Sequence, residues 1–248
     1  LDTDNDGVID CQEIEGCTDP IAENYDSFAT EQNNSCTYQN LGDYSFYFDG
    51  NNDYLEVPDS DYEYDSFTVE FKIKSIANSG DYAIIDHGVS EDYPNSGTQD
   101  RFSIRIIDNY LRVFFRDSNG NVLSTNAQTN LSDEWHHVAT TVDAFTGQIN
   151  IYIDGNNVTL RNNRNNGMRS GVNPEGVFQI AKYGGGASYF NGNIDDIRIW
   201  DDIRTQSEII DNMNNECCVE GNQSDLISYW KFNAVNDDNS LTYDYSGY

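Results

Sequence analysis

The densest chemistry in this chain lies in its first thirteen residues. Asp2-Thr3-Asp4-Asn5-Asp6-Gly7-Val8-Ile9-Asp10-Cys11-Gln12-Glu13 satisfies D-x-[DN]-x-[DN]-G-x5-E at every position. Oxygens of Asp2, Asp4 and Asp6, the Val8 carbonyl, Asp10 directly or through water, and a bidentate Glu13 can surround one Ca²⁺. Gly7 supplies the sharp turn that such a loop needs. The bland alternative is an acidic linker that meets the pattern by chance in an Asp-rich chain.

A second acidic position lies far downstream, in Gly192-Asn193-Ile194-Asp195-Asp196-Ile197-Arg198-Ile199-Trp200. Strand alternation would put Asp195 on the face of Ile197 and Ile199, so that a carboxylate points inward at the start of an apolar strand. An unpaired buried charge is costly, so Asp195 calls for a cation, an arginine or a cluster of donors. In a chain with few cationic side chains, a metal is the expected partner.

The charge balance narrows the partners. Thirteen Lys plus Arg against 43 Asp plus Glu give a formal charge of -30, which argues against nucleic acid or an anionic membrane and for cations. No apolar run approaches the roughly 20 residues of a membrane helix, so direct membrane insertion is not expected. No signal peptide opens the chain, which starts within a motif; the expectation is a piece of a longer polypeptide. Seventeen Tyr, 12 Phe and 3 Trp supply enough large side chains for a real core despite the acidity. Cysteines at 11, 17, 36, 217 and 218 show no C-x-x-C spacing, which favours disulfides and secretion over zinc. Adjacent Cys217 and Cys218 could bond each other, or one could reach Cys11; with five cysteines at least one lacks an intrachain partner.

The elements that must position these groups are short strands. From about Leu41 the chain alternates apolar and polar residues in runs separated by Gly, Asn, Asp and Ser, the pattern of an antiparallel β-sandwich. Candidate strands are Tyr44 to Phe48, Tyr54 to Val57, Phe67 to Ile76, Tyr82 to Asp86, Phe102 to Ile107, Leu111 to Arg116, Glu134 to Val142, Gln148 to Ile153, Val177 to Ala181, Asn193 to Trp200 and Leu226 to Phe232. Hairpin turns are expected at Ile107-Asp108-Asn109-Tyr110, Asp117-Ser118-Asn119-Gly120 and Ile153-Asp154-Gly155-Asn156. One short helix is expected after the capping box Thr205-Gln206-Ser207-Glu208, with Ile209, Ile210 and Met213 on one face.

Three resemblances follow from these motifs. The acidic loop is similar to the calcium loop of thrombospondin type 3 repeats. Gly16-Cys17-Thr18-Asp19-Pro20-Ile21-Ala22-Glu23-Asn24-Tyr25, with Ser35-Cys36-Thr37-Tyr38, resembles a small module of large secreted bacterial proteins. That likeness implies a Cys17 to Cys36 disulfide and a secreted, bacterial cell-surface setting. Phe48-Asp49-Gly50, Phe67-Thr68-Val69-Glu70-Phe71, Trp135-His136-His137-Val138-Ala139, Ile151-Tyr152-Ile153-Asp154-Gly155, the Asp195 strand and Ser228-Tyr229-Trp230-Lys231-Phe232 resemble the laminin G-like, concanavalin A-like jelly roll. The organisation so implied is a calcium loop over residues 1–15, a disulfide module over 16–40 and an all-β, two-sheet antiparallel jelly roll with one short helix over 41–248. A structural Ca²⁺ held by Asp49 and Asp195, with Asp53 and Asp196 as helpers, is implied by the same likeness.

Glycoside hydrolases on this fold need two carboxylates across the sugar, often as E-x-D-x-x-E or E-x-D-x-E on one strand. Glu63-Tyr64-Asp65 begins such a run but reaches the next glutamate only at Glu70. His136 and His137 fit a structural role better than a catalytic one. Binding residues are instead expected in the loops around Tyr93, Tyr183 and Tyr189, where aromatic faces adjoin amides and carboxylates, with His87 at a strand end beside them; ordinary solvated turns are the equal alternative. Arg161 to Arg169 reads as the one cationic patch in an acidic chain, there either to meet an anionic glycan or to balance local charge. The expected function is a non-enzymatic, calcium-binding adhesion or carbohydrate-binding module whose partner is a glycan or a cell-surface protein. The alternative is a structural spacer or docking module, and a hydrolase ranks last.

Overall fold

The computed structural model describes residues 14–17, 24–32, 35, 45–57, 64–76, 80–88, 100–160, 164–165, 167, 171–174, 176–184, 188–214 and 225–232. The expected ligands Asp2, Asp4, Asp6, Val8, Asp10 and Glu13, the binding residue Tyr93, and Cys11, Cys36, Cys217 and Cys218 lie outside the described residues. The chain divides into two units, residues 1–44 and 45–248. In the first, strands β1 (Glu15–Gly16) and β2 (Glu31–Gln32) pair in parallel. Cys17 beside them is 1% exposed and disulfide-bonded, and its carbonyl accepts the Asp26 N–H at 2.9 Å.

The second unit is an antiparallel sandwich. Its elements are β3 (Phe46–Asp49), β4 (Leu55–Val57), β5 (Ser66–Ser75), β6 (Asp81–Gly88), β7 (Arg101–Ile107), β8 (Tyr110–Arg116), β9 (Val122–Gln128), β10 (His136–Asp143), β11 (Gln148–Ile153), β12 (Asn156–Asn157), β13 (Arg164–Asn165), β14 (Val177–Ile180), β15 (Lys182–Tyr183), β16 (Ser188–Tyr189), β17 (Asn191–Trp200), α1 (Gln206–Asn214) and β18 (Leu226–Trp230). One sheet runs β12-β11-β10-β5-β17-β18, with β3 also on β17; the other runs β13-β9-β8-β7-β6-β14-β4. Between them lies one core: Val69, Phe71 and Ile73 of β5, Val138 of β10 and Ile197 and Ile199 of β17 meet Phe102 and Ile104 of β7 and Val113 and Phe115 of β8. Tyr64, Phe67, Phe102 and Phe115 interlock with ring centroids 4.8 to 6.5 Å apart. Each such fully buried side chain contributes about 1.5–3 kcal/mol.

The turns form where their residues allow them. Asp108 and Asn109 (φ 48° and 69°) and Asp154 and Gly155 (φ 51° and 73°) take the left-handed conformations that match a two-residue hairpin to strand twist. α1 opens with the reciprocal cap: the Thr205 N–H donates to Glu208 Oε2 at 2.7 Å and the Glu208 N–H to Thr205 Oγ1 at 3.3 Å. Ile209 is buried against Ala139 and Tyr152, whereas Ile210 is 37% exposed, so the apolar face is narrower than its sequence suggests. No helix among the described residues is long and apolar enough to cross a membrane.

Candidate functional site

Strands β7 and β8 build the site. Alternation sends Phe102, Ile104 and Ile106, with Leu111, Val113 and Phe115, into the core, leaving Arg101, Ser103 and Arg105, with Arg112, Phe114 and Arg116, on the outer face. The hairpin register sets Arg101 opposite Arg116, Ser103 opposite Phe114, and Arg105 opposite Arg112. Four guanidinium groups thus sit in two cross-strand pairs, and like charges set opposite one another call for compensation from neighbouring groups.

Neighbouring elements fix part of this array. Asp86 on β6, 1% exposed, accepts Arg101 Nε at 3.1 Å and Nη2 at 2.5 Å, together with the Gly184 N–H at 3.0 Å. Burial pushes the Asp86 carboxyl above its ordinary value, while the Arg101 guanidinium pulls the other way. Asp81 pairs with Arg105. After β14, Ala181 at φ 67° turns the chain into the β15–β16 hairpin. This delivers the half-buried Tyr183 ring to the site, 4.2 Å from the Arg101 and 3.9 Å from the Arg105 guanidinium carbon. Arg112 lies 5.3 Å from the Phe114 ring. The result is a cleft of about 90 Å³ lined, among the described residues, by Arg101, Ser103, Arg105, Arg112, Phe114, Arg116 and Tyr183.

Of the binding residues expected from sequence, Tyr183 lines this cleft. Tyr189 opposes Lys182 on the other face of the same hairpin, where its ring lies 6.3 Å from Tyr54 and Lys182 Nζ lies 4.2 Å over Tyr54. His87 belongs to the core rather than to a surface: it is 0% exposed, its Nδ1 is 3.0 Å from the Tyr64 hydroxyl, and its ring packs 5.8 Å from Phe178. The reason is register, since His87 opposes the core residue Phe102 and Asp86 takes the outer face. His137 is buried and His136 half-buried, the latter with Nδ1 2.8 Å from Asp154. The four cleft arginines were missed, although their R-x-S-x-R and R-x-F-x-R spacings on either side of an expected hairpin turn carry the signal.

The acidic positions tied to calcium take different surroundings. Asp49 Oδ1 accepts the Asn51 N–H at 2.8 Å and Oδ2 the Asn51 amide at 3.0 Å, while Asp53 Oδ2 accepts the Asp49 N–H at 3.1 Å. The bonds from the Asn51 side chain and backbone hold the Asp49 carboxyl below its ordinary value. Asp49 opposes Asn191, four residues from Asp195 along β17, a separation of roughly 13 Å at ordinary strand rise. Asp195 opposes Lys72, and a bulge between Asp195 and Arg198, with Asp196 at φ 49°, adds one residue to the strand. Asp195 therefore shares the outer face with Arg198, not the inner face with Ile197 and Ile199. Its Oδ1 accepts the Asp196 N–H at 2.8 Å, and Lys72 Nζ lies 3.1 Å from Asp196 Oδ2. Asp49 and Asp195 thus stand apart along the ladder, and the described residues contain no group of three or more His, Cys, Asp or Glu arranged to hold a metal.

Two antiparallel sheets around a single core define a jelly-roll domain, with an open cleft on one outer face. Residues 49–210, more than half of the chain, match the Laminin_G_3 family of the concanavalin A-like lectin/glucanases superfamily, and the chain belongs to this family. Among solved structures it is similar to a candidate carbohydrate-binding protein from Bacteroides ovatus ATCC 8483 (21% identity, TM-score 0.57, 82% of this chain and 57% of that one). It is also similar to the receptor binding domain of botulinum neurotoxin D (14% identity, TM-score 0.52, 72% of this chain and 44% of that one). These likenesses are of fold, and the chain spans little more than half the length of the first. Comparison with curated protein sequences finds no match.

Proposed function

We propose that the jelly roll is a non-enzymatic carbohydrate-binding or adhesion module of a large bacterial cell-surface protein, and that the β7–β8 cleft is its contact surface. The observation that carries this reading is Tyr183: an aromatic ring held half-buried on an open sheet face among arginine donors that stack on it, a lining of aromatic and hydrogen-bonding groups of the kind that recognises sugars. Against hydrolysis, Asp81 and Asp86, the carboxylates beside the cleft among the described residues, are each committed to an arginine, whereas glycosidases need one free acid and one free base or nucleophile. The disulfide at Cys17 supports an oxidising, extracellular setting. Calcium enters this reading through Asp2, Asp4, Asp6, Val8, Asp10 and Glu13 alone, since Asp49 and Asp195 lie apart; metal analysis should give one Ca²⁺ per chain, and two would restore a site in the jelly roll.

The test is a glycan array probed in Ca²⁺ with the native chain and with Tyr183→Ala, alongside thermal unfolding of both. The expected result is a defined set of bound glycans, weakened about tenfold or more by the substitution at unchanged stability. No bound glycan, or full binding by Tyr183→Ala, would overturn the assignment.

A further inference from the structure

We infer that Asp86 is the positioning residue of the β7–β8 cleft: its carboxylate fastens Arg101 and the hairpin that carries Tyr183 to one strand, so that the contact surface is formed before a ligand arrives. This rests on the binding reading above and adds what sets the geometry of that site. Asp86 itself, 1% exposed, is too buried to touch a ligand.

The arrangement starts from an irregularity in β6. Asp81 and Asp86 are five residues apart, an odd separation that would send them to opposite faces of an unbroken strand. The register slips between Ala83 and Ile85, so that Ala83 opposes Arg105 while Asp86 opposes Ser103. Both carboxylates thereby reach the outer face, where the cleft lies. The inserted residue is itself an anchor: the Ile84 carbonyl accepts the Ala181 N–H at 2.9 Å, at the point where Ala181 turns the chain into β15. Beyond that turn the Gly184 N–H donates to Asp86 Oδ2 at 3.0 Å, and Ser188 Oγ donates to the Asp81 carbonyl.

The two acids differ in what they join. The Asp81 carboxylate is 51% exposed and holds Arg105. Asp86 holds two elements through one buried carboxylate: Oδ1 accepts Arg101 Nε at 3.1 Å, and Oδ2 accepts both Arg101 Nη2 at 2.5 Å and the Gly184 N–H. Across β14, Gln179 opposes Asp86 but donates to Glu56 Oε2 at 3.0 Å, which leaves the Asp86 oxygens to Arg101 and Gly184. The Arg101 guanidinium carbon then lies 4.2 Å from the Tyr183 ring centroid, so Asp86, Arg101, Tyr183 and Gly184 form a closed circuit in which each restrains the next. Charge-assisted bonds make that circuit stiff, and groups ordered in the free protein lose less entropy on binding.

Amide hydrogen exchange read by NMR on the whole chain, together with affinity for a glycan selected on the array, decides the matter. In the native chain the Gly184 amide should exchange about a hundredfold or more slower than a solvated loop amide. Exchange at the solvated rate would overturn the inference without any variant. Asp86→Glu keeps the negative charge beside Arg101 but moves the carboxylate by one methylene. It should leave the Val69 and Val138 amides of the first sheet protected, speed exchange at Gly184 about tenfold or more, and weaken the glycan by a similar factor. Asp86→Asn should release Gly184 further. A residue that only neutralises Arg101 would be rescued by glutamate, so native exchange at Gly184 and native affinity in Asp86→Glu would overturn the inference. Native affinity with Gly184 released would overturn it as well. If the native chain binds no glycan, the binding reading falls and exchange alone decides: release of Gly184 in Asp86→Glu upholds Asp86 as the joint of the hairpin, and retained protection removes it.

Discussion

The outer faces of the two sheets both carry charge, and they use it in opposite ways. On the first sheet, Trp200 Nε1 and Asn212 Nδ2 donate to Glu70 Oε1 at 2.6 and 2.9 Å. His137 Nε2 lies 3.2 Å from Glu70 Oε2, within ion-pair distance though out of line for a hydrogen bond. Arg198 donates to the Tyr229 hydroxyl at 2.9 Å, which donates in turn to Asp196 Oδ1 at 2.9 Å. Burial lowers the Arg198 pKa, but Tyr229, Asp196 and Glu70 together hold it above its ordinary value. Helix α1 covers this network through Ile209 and Asn212. Acids and bases there alternate, are buried, and fasten a helix to a sheet. On the second sheet, like charges face one another around an open cleft. Charges on the first sheet fasten a helix over it; those on the second border an open cleft, where Asp86 and Asp81 hold Arg101 and Arg105.

The sharpest way to break this contrast is to remove Glu70. Glu70→Ala strands the Trp200 N–H, the Asn212 amide and the Arg198 charge beneath α1, and the expected loss is about 3–5 kcal/mol in urea unfolding. Binding at the cleft should survive wherever the variant remains folded. A loss under about 1 kcal/mol would mean that the covered face is no more dependent on its charges than the open one.

A smaller effect is expected at the helix that closes the first face. Thr205→Ala removes the hydroxyl half of the cap and should cost about 1 kcal/mol. The cap also has a pH signature. Bonds from the Thr205 backbone and side chain hold the Glu208 carboxyl below its ordinary value of 4.5. A carboxyl depressed on folding stabilises above its unfolded pKa, and the contribution disappears as pH falls through the folded value. The gap between native and Thr205→Ala stability should therefore narrow below about pH 4.5, and a gap constant down to pH 3 would exclude Glu208 as its source. This part of the fold was legible in sequence, because capping is local: Thr205 and Glu208 at the right spacing need no tertiary information.

Other features were hidden for physical reasons. β9 went unmarked because Leu123 shares its inward face with Thr125 and Ala127, which leaves little apolar alternation to see. The Asp195 face was misread because alternation assumes an unbroken period of two, and Asp196 at φ 49° inserts an extra residue without the glycine that would announce it. His87 failed for the same kind of reason, since the strand continues to Gly88, beyond the expected end at Asp86, and its register carries the ring inward. The cleft needed two facts together: the spacing of arginines on each strand, and the turn that sets them face to face.

On the open face the expected change is far smaller than at Glu70. Arg116→Gln removes a half-buried charge across from Arg101 and should shift stability by less than about 1 kcal/mol. Guanidinium chloride screens the charge interaction being measured, so urea is the denaturant to use. A clear loss of stability would show that Arg116 serves the fold, and the comparison between the faces would fail there.

The smallest effect is expected where the two arginine rows are brought into register. Asp108 and Asn109 both adopt left-handed backbone angles, which Asn tolerates and Gly adopts without strain. Asn109→Gly relieves that strain but gives the unfolded chain more freedom, so the net change should stay within about 0.5 kcal/mol of zero. Because a two-residue turn and its register are preserved, the pairs Arg101–Arg116 and Arg105–Arg112 persist and ligand affinity should not move. Altered affinity at unchanged stability would show that the turn shapes the cleft beyond the register it preserves, and not only the Asp86, Asp81 and Tyr183 contacts with Arg101 and Arg105.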